Sequence, residues 1–177
     1  MIKAKKSLGQ NFLIDEEVIK KIIDCSSIKD KEILEVGPGT GNLTKKIIEE
    51  KPKKIYLIEK DSILLEGLKK KFNENIEFIN NDILKIKEDE ITKNKLTVFG
   101  NLPYNISTEI LTKWILNIRS NFWFDKLILM FQQEVANRII SKYNSSNYGR
   151  LSIISSWKLN IEKIIDISPE SFNPRPK

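Results

Sequence analysis

A chain of 177 residues with 40% hydrophobic and 31% charged residues has the composition of one folded domain, and no apolar run approaches the roughly 20 residues that cross a bilayer. The net charge of +6 favours an anionic partner such as nucleic acid, although a lysine-rich compositional bias would produce the same value. The absence of histidine excludes Ser-His and Cys-His nucleophile pairs, and the single cysteine excludes thiolate zinc clusters and internal disulfides.

The N-terminus and the cysteine content indicate where the protein works. The first residues, MIKAKKSLGQNF, carry positive charge without a following apolar stretch, so the sequence does not support export. A lone cysteine, Cys25, fits a reducing compartment. We therefore expect a cytoplasmic protein. We also expect it to be a monomer that binds neither a membrane nor a metal ion.

Along the middle of the chain, short apolar runs alternate with patterns that are typical of helices. Strands that alternate with helices of about 10–15 residues predict βαβ units, and hence a mostly parallel sheet with right-handed crossovers. The predicted strands are Glu32–Val36, a run that ends at Glu59, a run that ends just before Asp82, and residues 95–100 and 124–131. The predicted helices are residues 41–50, 61–72, 107–118 and 132–143.

The last part of the chain has a different pattern. RLSIISSWKLN (150–160) and IEKIIDIS (161–168) are two strand-like runs with almost nothing between them. They predict an antiparallel hairpin that closes the edge of the sheet, which would then have seven strands. The final residues, SPESFNPRPK, are rich in proline and predict an extended segment.

The first predicted strand ends in a glycine-rich turn, with Gly37, Gly39 and Gly41 at alternate positions. Glycine lets a backbone turn sharply and approach a ligand closely in front of a helix N-terminus. The dinucleotide fingerprint requires a glycine where this sequence has Asn42, and no lysine follows as in a phosphate-binding loop. By itself the turn indicates either a nucleotide-like ligand or a simple connection between strand and helix.

Two carboxylates make the first of these interpretations more specific. Glu59 ends the second predicted strand and Asp82 follows the third, so both would lie at the carboxyl edge of the sheet, where open α/β sheets bind ligands. Each alone fits a solvated strand end. Together with the glycine turn, Glu59 suits two ribose hydroxyls and Asp82 suits an adenine amino group. The combination predicts S-adenosylmethionine as the cofactor.

Six motifs in order along almost the whole chain are similar to those of one enzyme family. The chain resembles the ribosomal RNA adenine N6-dimethyltransferases, specifically the branch that dimethylates two adjacent adenines near the 3′ end of small-subunit rRNA. The motifs are KKSLGQNFL (5–13), EVGPGTGNLT (35–44), NLPYNIS (101–107), QQEVANR (132–138), YGRLS (148–152) and PESFNPRPK (169–177).

This resemblance implies a Rossmann-like class I methyltransferase fold and a set of site residues. Residues 1–177 would form one catalytic domain, in which residues 1–14 fold over the cofactor and residues 169–177 begin a linker to a small helical domain that this chain lacks. Small-subunit rRNA, in an immature ribosomal subunit, would be the partner. The implied cofactor-binding residues are Asn11, Leu13, Gly37, Gly39, Glu59, Asp82 and Asn101.

The resemblance also assigns the NLPY stretch to the target adenine. Asn101 and the backbone carbonyl of Pro103 would accept hydrogen bonds from the target amine, Tyr104 would stack on the base, and Phe172 would form the opposite wall. Two acceptors favour a pyramidal amine whose lone pair points at the methyl group, so the protein mainly has to align two reactants. Stacking worth about 1–3 kcal/mol per aromatic wall would offset the cost of unstacking the base.

Three alternatives remain open. The nearest is the related group that methylates large-subunit rRNA and confers antibiotic resistance, which shares the Q-N-F, glycine-turn and N-x-P-Y motifs. A second is a non-catalytic ribosome assembly factor with the same fold, and a third is an NAD-dependent oxidoreductase, which Asn42 and NLPY disfavour. The candidate phosphate contacts are Lys3, Lys5, Lys6, Arg138, Arg150 and Arg175, each of which also fits a solvated surface charge.

Overall fold

The computed structural model describes residues 4–5, 9–73, 75–118 and 121–176 and has an α/β architecture. A parallel sheet of five strands, in the order β4-β3-β2-β5-β6, forms its centre. These strands are β2 (Glu32–Val36), β3 (Lys54–Ile58), β4 (Ile76–Ile79), β5 (Leu96–Asn101) and β6 (Phe124–Met130). The helices are α1 (Glu16–Ile23), α2 (Asn42–Glu49), α3 (Ser62–Lys71), α4 (Ser107–Leu116), α5 (Gln133–Ile139) and α6 (Arg150–Lys158). The predicted α/β class with a parallel sheet is confirmed.

The sheet separates two apolar layers because successive side chains of a strand point to opposite faces. On one face, Ile33 and Phe99 pack with α1 and α2. On the other face, Leu34 and Val98 pack with α4 around the fully buried Trp114. All five residues of β2 are buried, as expected for a central parallel strand covered on both sides.

A second, very small sheet joins the two ends of the chain. Strand β1 (Phe12–Leu13) pairs antiparallel with β7 (Phe172–Asn173), so that Leu13 lies opposite Phe172. The pairing continues where the Ile14 N–H donates to the Ser171 carbonyl at 2.8 Å. The N-terminal segment is therefore held against the last turn of the described chain.

Asp15 connects this small sheet to helix α1, which the sequence pattern did not predict. One carboxylate oxygen caps the helix by accepting from the N–H groups of Glu17 and Val18, and the other accepts from the Ser171 hydroxyl at 2.8 Å. These hydrogen bonds lower the pKa of Asp15. One side chain thus fixes both the start of α1 and the position of the C-terminal segment.

The predicted C-terminal hairpin is wrong, and the sheet has five strands rather than seven in the described part of the chain. Residues 150–158 form helix α6, and residues 161–168 form neither helix nor strand. The buried face of α6 consists of Leu151, Ser152 and Ser155, whereas Trp157 is 64% exposed. The apolar pattern therefore did not mark the packed face, and small serines allow α6 to approach α4 and α5.

Among the described residues, no helix is both long and apolar enough to cross a membrane.

Candidate active site

The glycine-rich turn leaves β2 at the carboxyl edge of the sheet. Gly37, Gly39 and Gly41 all have positive φ angles, of 71°, 57° and 81°, which side chains rarely adopt. At Gly37 the backbone of β5 is also close, since a Cβ atom there would lie 2.9 Å from the Asn101 carbonyl oxygen. The turn thus requires glycine both for its conformation and for its contact with the next strand.

We expect Gly37→Ala to lower the free energy of unfolding by about 1–3 kcal/mol, because it combines an unfavourable φ with a contact that only a backbone shift relieves. Chemical denaturation followed by circular dichroism measures the change. Gly67→Ala in α3 is the matched control: an added Cβ meets nothing within 4 Å there, so stability should stay equal or rise by about 0.5–1 kcal/mol. Equal stability of Gly37→Ala and the wild type would contradict the prediction.

Glu59 lies directly beside this turn. Its side chain is only 7% exposed and accepts hydrogen bonds from the Gly39 N–H at 3.3 Å and from the Asp61 N–H at 2.9 Å. Burial raises the pKa of Glu59. A carboxylate can accept about four hydrogen bonds, so Glu59 supports the turn and retains capacity for a ligand.

Asp82 lies just after the neighbouring strand β4. One of its oxygens caps a short 3₁₀ turn by accepting from the Leu84 N–H at 3.0 Å, and the other is 2.8 Å from the Lys60 ammonium. The hydrogen bond from Lys60 lowers the pKa of Asp82. Asp82 is therefore ionised, and it lies at the sheet edge that the sequence predicted. A ligand that binds Asp82 would share its carboxylate with Lys60.

Asn101 ends β5 with its side chain held in a defined orientation. Its amide nitrogen donates to the backbone carbonyl of Asn11 at 2.8 Å. No group in the described part of the chain donates to the Asn101 Oδ1 atom, so that oxygen remains an acceptor. The Pro103 carbonyl accepts from the Ile106 N–H at 3.0 Å and keeps its second lone pair. Tyr104 follows, half-buried, and burial raises its pKa.

The N-terminal segment covers the glycine turn. The Phe12 ring lies against Gly39, where a Cβ atom would be only 2.7 Å from the ring, and the Leu13 carbonyl accepts from the Asn42 amide at 2.7 Å. The cavity that remains between this cover, the turn and Asn101 has a volume of about 20 Å³. Small-molecule sites typically measure roughly 300–1,000 Å³, so this cavity is much smaller than a typical ligand site.

A ribosomal RNA adenine dimethylase family model matches residues 1–177. The chain belongs to the ribosomal RNA adenine dimethylase family. This assignment confirms the resemblance that the six sequence motifs predicted.

Individual relatives agree with the family assignment. The chain is 67% identical over 176 residues to ribosomal RNA small subunit methyltransferase A of Pelagibacter ubique (strain HTCC1062), covering 99% of this chain and 67% of the relative. It is 44% identical to the protein of that name from Wolbachia pipientis subsp. Culex pipiens (strain wPip), covering all of this chain and 67% of the relative. The chain thus spans about two thirds of the length of these relatives.

Solved structures show the same fold. A dimethyladenosine transferase from Plasmodium falciparum superposes with a TM-score of 0.82 at 33% identity, covering 94% of this chain and 59% of that one. The 23S rRNA methyltransferase ErmE superposes with a TM-score of 0.74 at 26% identity, covering 94% of this chain and 66% of that one.

In this dimethylase chain, the structure brings several predicted site residues around one small cavity: Leu13, Gly37, Gly39 and Asn101 line it, and Asn11 and Glu59 are hydrogen-bonded to them. Phe172 is only 5% exposed and belongs to the buried cluster that contains Leu13 and Met130, so in this structure it does not line an open surface. The described residues include no group of His, Cys, Asp or Glu that could hold a metal ion.

Glu35 also lines the cavity and was not predicted as a site residue. It is 1% exposed and accepts a hydrogen bond from the Thr44 hydroxyl at 2.7 Å. Burial raises the pKa of Glu35 to about 8, and the nearby charge of Glu59 contributes to this increase. Its position inside the apolar run EILEV was the available signal, since a carboxylate in a buried strand needs a specific environment.

The candidate phosphate contacts lie in different surroundings. Lys5 pairs with Asp61 at 2.8 Å, and Arg175 lies 3.3 Å from Glu170. Arg138 and Arg150 line a second cavity, separate from the glycine turn. Lys3 and Lys6 lie outside the described residues.

Proposed function

We propose that this chain transfers methyl groups from S-adenosylmethionine to N6 of two adjacent adenines near the 3′ end of small-subunit rRNA. The observation that carries the proposal is the orientation of Asn101. Its amide nitrogen donates to the Asn11 carbonyl at 2.8 Å, which leaves Oδ1 available as an acceptor at the end of β5. In this proposal the protein acts in the cytoplasm, as a monomer, on immature small ribosomal subunits.

The reaction needs an amine held in line with a methyl donor. Asn101 Oδ1 and the Pro103 carbonyl would accept the two N–H bonds of the adenine amine, so that the nitrogen lone pair points away from both. Such positioning can supply a large part of the rate enhancement when the donor is already reactive. No general base is needed before transfer, because the product ammonium loses its proton readily.

The residues beside the glycine turn fit S-adenosylmethionine, which would supply a methyl group activated by a sulfonium. Gly37 and Gly39 allow close approach of the backbone, Glu59 would accept from the ribose hydroxyls, and Asp82 would accept from the adenine amino group. Asn11 and Leu13 would close over the bound molecule. Support comes from the spare acceptor capacity of Glu59 and from the position of Asp82 at the same edge of the sheet.

The target base would be held by stacking. Tyr104 would cover one face of the adenine, with a contribution of about 1–3 kcal/mol, and Phe172 would form the opposite wall. Residues 1–177 would thus form a methyltransferase catalytic domain in which residues 1–14 cover the cofactor. The 67% and 44% identical relatives named for the small subunit favour that substrate over large-subunit rRNA.

A methyl-transfer assay with labelled S-adenosylmethionine tests the proposal. Immature small subunits and large-subunit rRNA are offered in parallel, and the modified nucleoside is identified by mass spectrometry. We expect N6,N6-dimethyladenosine in small-subunit rRNA at a rate at least about ten times that on large-subunit rRNA. Label only in large-subunit rRNA would favour the resistance-type alternative. Cofactor binding by calorimetry without transfer to either RNA would favour an assembly factor.

A further inference from the structure

Helix α4 carries a lysine, Lys113, whose ammonium group lies against the segment that follows Asp82. Only 19% of the Lys113 side chain is exposed. Its ammonium donates to the Ile83 carbonyl at 2.9 Å and also to the Ile86 carbonyl, and it lies 2.6 Å from the Glu88 carboxylate. A lysine ammonium has three N–H donors, and these three acceptors match them. The proposed methyl transfer does not use this lysine.

The segment that holds Asp82 has little regular structure of its own. It follows β4, which lies at one edge of the sheet and has β3 as its neighbour. Residues Ile83–Lys85 then form a single 3₁₀ turn, which Asp82 caps by accepting from the Leu84 N–H. One such turn is not stable alone, because it fixes several backbone dihedral angles for few hydrogen bonds. The position of the Asp82 carboxylate therefore depends on what holds this turn.

Lys113 holds the 3₁₀ turn at both ends. Ile83 is the first residue of the turn, and the N–H of Ile86, just after the turn, donates to the Ile83 carbonyl at 3.3 Å. With the bond from Lys113, both lone pairs of that carbonyl are used. The Ile83 side chain is 5% exposed and packs in one buried cluster with Ile110 and Trp114 of α4. The turn and the helix thus form one packed unit.

Glu88 connects the end of the same segment to α4. Its side chain is 4% exposed, and Oε1 accepts from the Lys113 ammonium and from the Trp114 indole N–H, both at 2.6 Å. A carboxylate in the interior needs such donors to offset the loss of water. Replacing Lys113 alone would leave this charge with the indole, so a test also needs a variant in which residue 88 is neutral.

Helix α4 also begins beside the segment that would hold the target adenine. Its first residue is Ser107, whose hydroxyl donates to the Tyr104 carbonyl at 3.3 Å. Lys113 lies further along the same helix, about 9 Å from Ser107 along the axis. The turn beside Asp82 and the segment of Tyr104 are thus both attached to α4.

We propose that Lys113 is a positioning residue for the cofactor, which holds the Asp82 carboxylate where it accepts from the amino group of the cofactor adenine. Lys113 thereby sets the selectivity of the site for a base that carries an amino group. This inference rests on the proposed function, in which Asp82 accepts from that amino group. Lys113 acts through the carbonyls of Ile83 and Ile86 and takes no part in methyl transfer.

Calorimetric titration with two ligands tests the proposal: S-adenosylhomocysteine and its purine analogue without the 6-amino group. The selectivity is the dissociation constant of the analogue divided by that of S-adenosylhomocysteine. We expect about ten-fold for the wild type, as for one hydrogen bond to a charged group, and less than about two-fold for Lys113→Met. Asp82→Ala, which lacks the carboxylate, gives the reference value for lost selectivity. A general weakening of the site would affect both ligands equally and keep the ratio.

Two further variants separate positioning from charge and from folding. Lys85→Met removes the same charge from an exposed position in the same turn, so it should keep the selectivity of the wild type. Lys113→Met/Glu88→Gln leaves no unpaired carboxylate and keeps an acceptor for the Trp114 indole. It should lose the selectivity as Lys113→Met does. Circular dichroism shows that each variant is folded.

The possible outcomes distinguish this inference from the proposed function. Selectivity like that of the wild type in the folded double variant would overturn the role of Lys113 and leave the proposed function intact. Equal binding of both ligands by the wild type would overturn the role of Asp82 and this inference with it. If the selectivities follow the expected pattern but no methyl group reaches small-subunit rRNA, the proposed function fails and the role of Lys113 stands.

Discussion

Replacing Asn101 with alanine is expected to lower the rate of adenine methylation by about 10²- to 10³-fold at saturating cofactor. The change removes the side-chain oxygen that would hold the target amine in line with the methyl donor, and removal of one preoriented polar group from an active site typically has an effect of this size. The same change breaks the 2.8 Å hydrogen bond to Asn11. Cofactor affinity therefore has to be measured in parallel by calorimetry.

The matched control for Asn101→Ala is Asn105→Ala, the same substitution at an exposed position in the same loop. It should retain at least about half of the wild-type rate. Single-turnover assays of both variants on immature small subunits separate methyl transfer from RNA release. If Asn101→Ala keeps a rate similar to that of Asn105→Ala, then the acceptor role of Asn101 is wrong and another group must orient the amine.

Glu35→Gln is expected to make the domain more stable than the wild type at high pH. The pKa of Glu35 is about 8 in the folded chain and has an ordinary value of 4.5. Between these values the folded state holds a proton that the unfolded state has released, so wild-type stability falls as pH rises through this window. The free energy of unfolding of the wild type falls by about 1.4 kcal/mol per pH unit in this window, and the total decrease is on the order of 5 kcal/mol above pH 8. Glutamine keeps an acceptor for the Thr44 hydroxyl and does not ionise.

Denaturant unfolding at pH 5 and at pH 8.5 measures this effect as the difference between wild type and variant at each pH. The difference should grow by several kcal/mol, on the order of 4, towards the higher pH. Glu50→Gln removes an exposed carboxylate at the end of α2 and controls for the change in net charge. The difference in free energy of unfolding between Glu50→Gln and the wild type should be the same at both pH values. Parallel curves for Glu35→Gln would show that Glu35 is not held protonated by burial.

The central strands were predictable because each is a short apolar run that ends at a polar or glycine-rich segment. Glu32–Val36 was predicted with the bounds that the structure shows, and the run ending at Glu59 differs only at its ends. Helix α6 was not predictable in this way. Ile153, which is β-branched, and Trp157 both favour a strand. Their exposed fractions are 51% and 64%, however, and the packing of α6 on two other helices decides its conformation.

The candidate site likewise contains residues that could be placed from the sequence and contacts that could not. Residues at strand ends, such as Gly37 and Glu59, could be placed from the sequence because parallel strands bring their carboxyl ends to one edge. The contact between Asn11 and Asn101 joins residues 90 positions apart, and the position of Phe12 over Gly39 depends on a two-residue strand pairing. Neither leaves a periodic pattern in the sequence, so only the three-dimensional structure shows how the cover closes.

The pairing of β1 with β7 determines the order in which the domain can be completed during translation. The paired segments are about 160 residues apart, and a ribosome that adds about 5–20 residues per second needs roughly 8–30 s to make the second after the first. The five central strands and the glycine turn precede β7 in the chain, so they are synthesised before it. A nascent chain thus presents the glycine turn before β1 can pair with β7. The contact of Phe12 with Gly39 belongs to the completed domain, in which both ends of the chain are present.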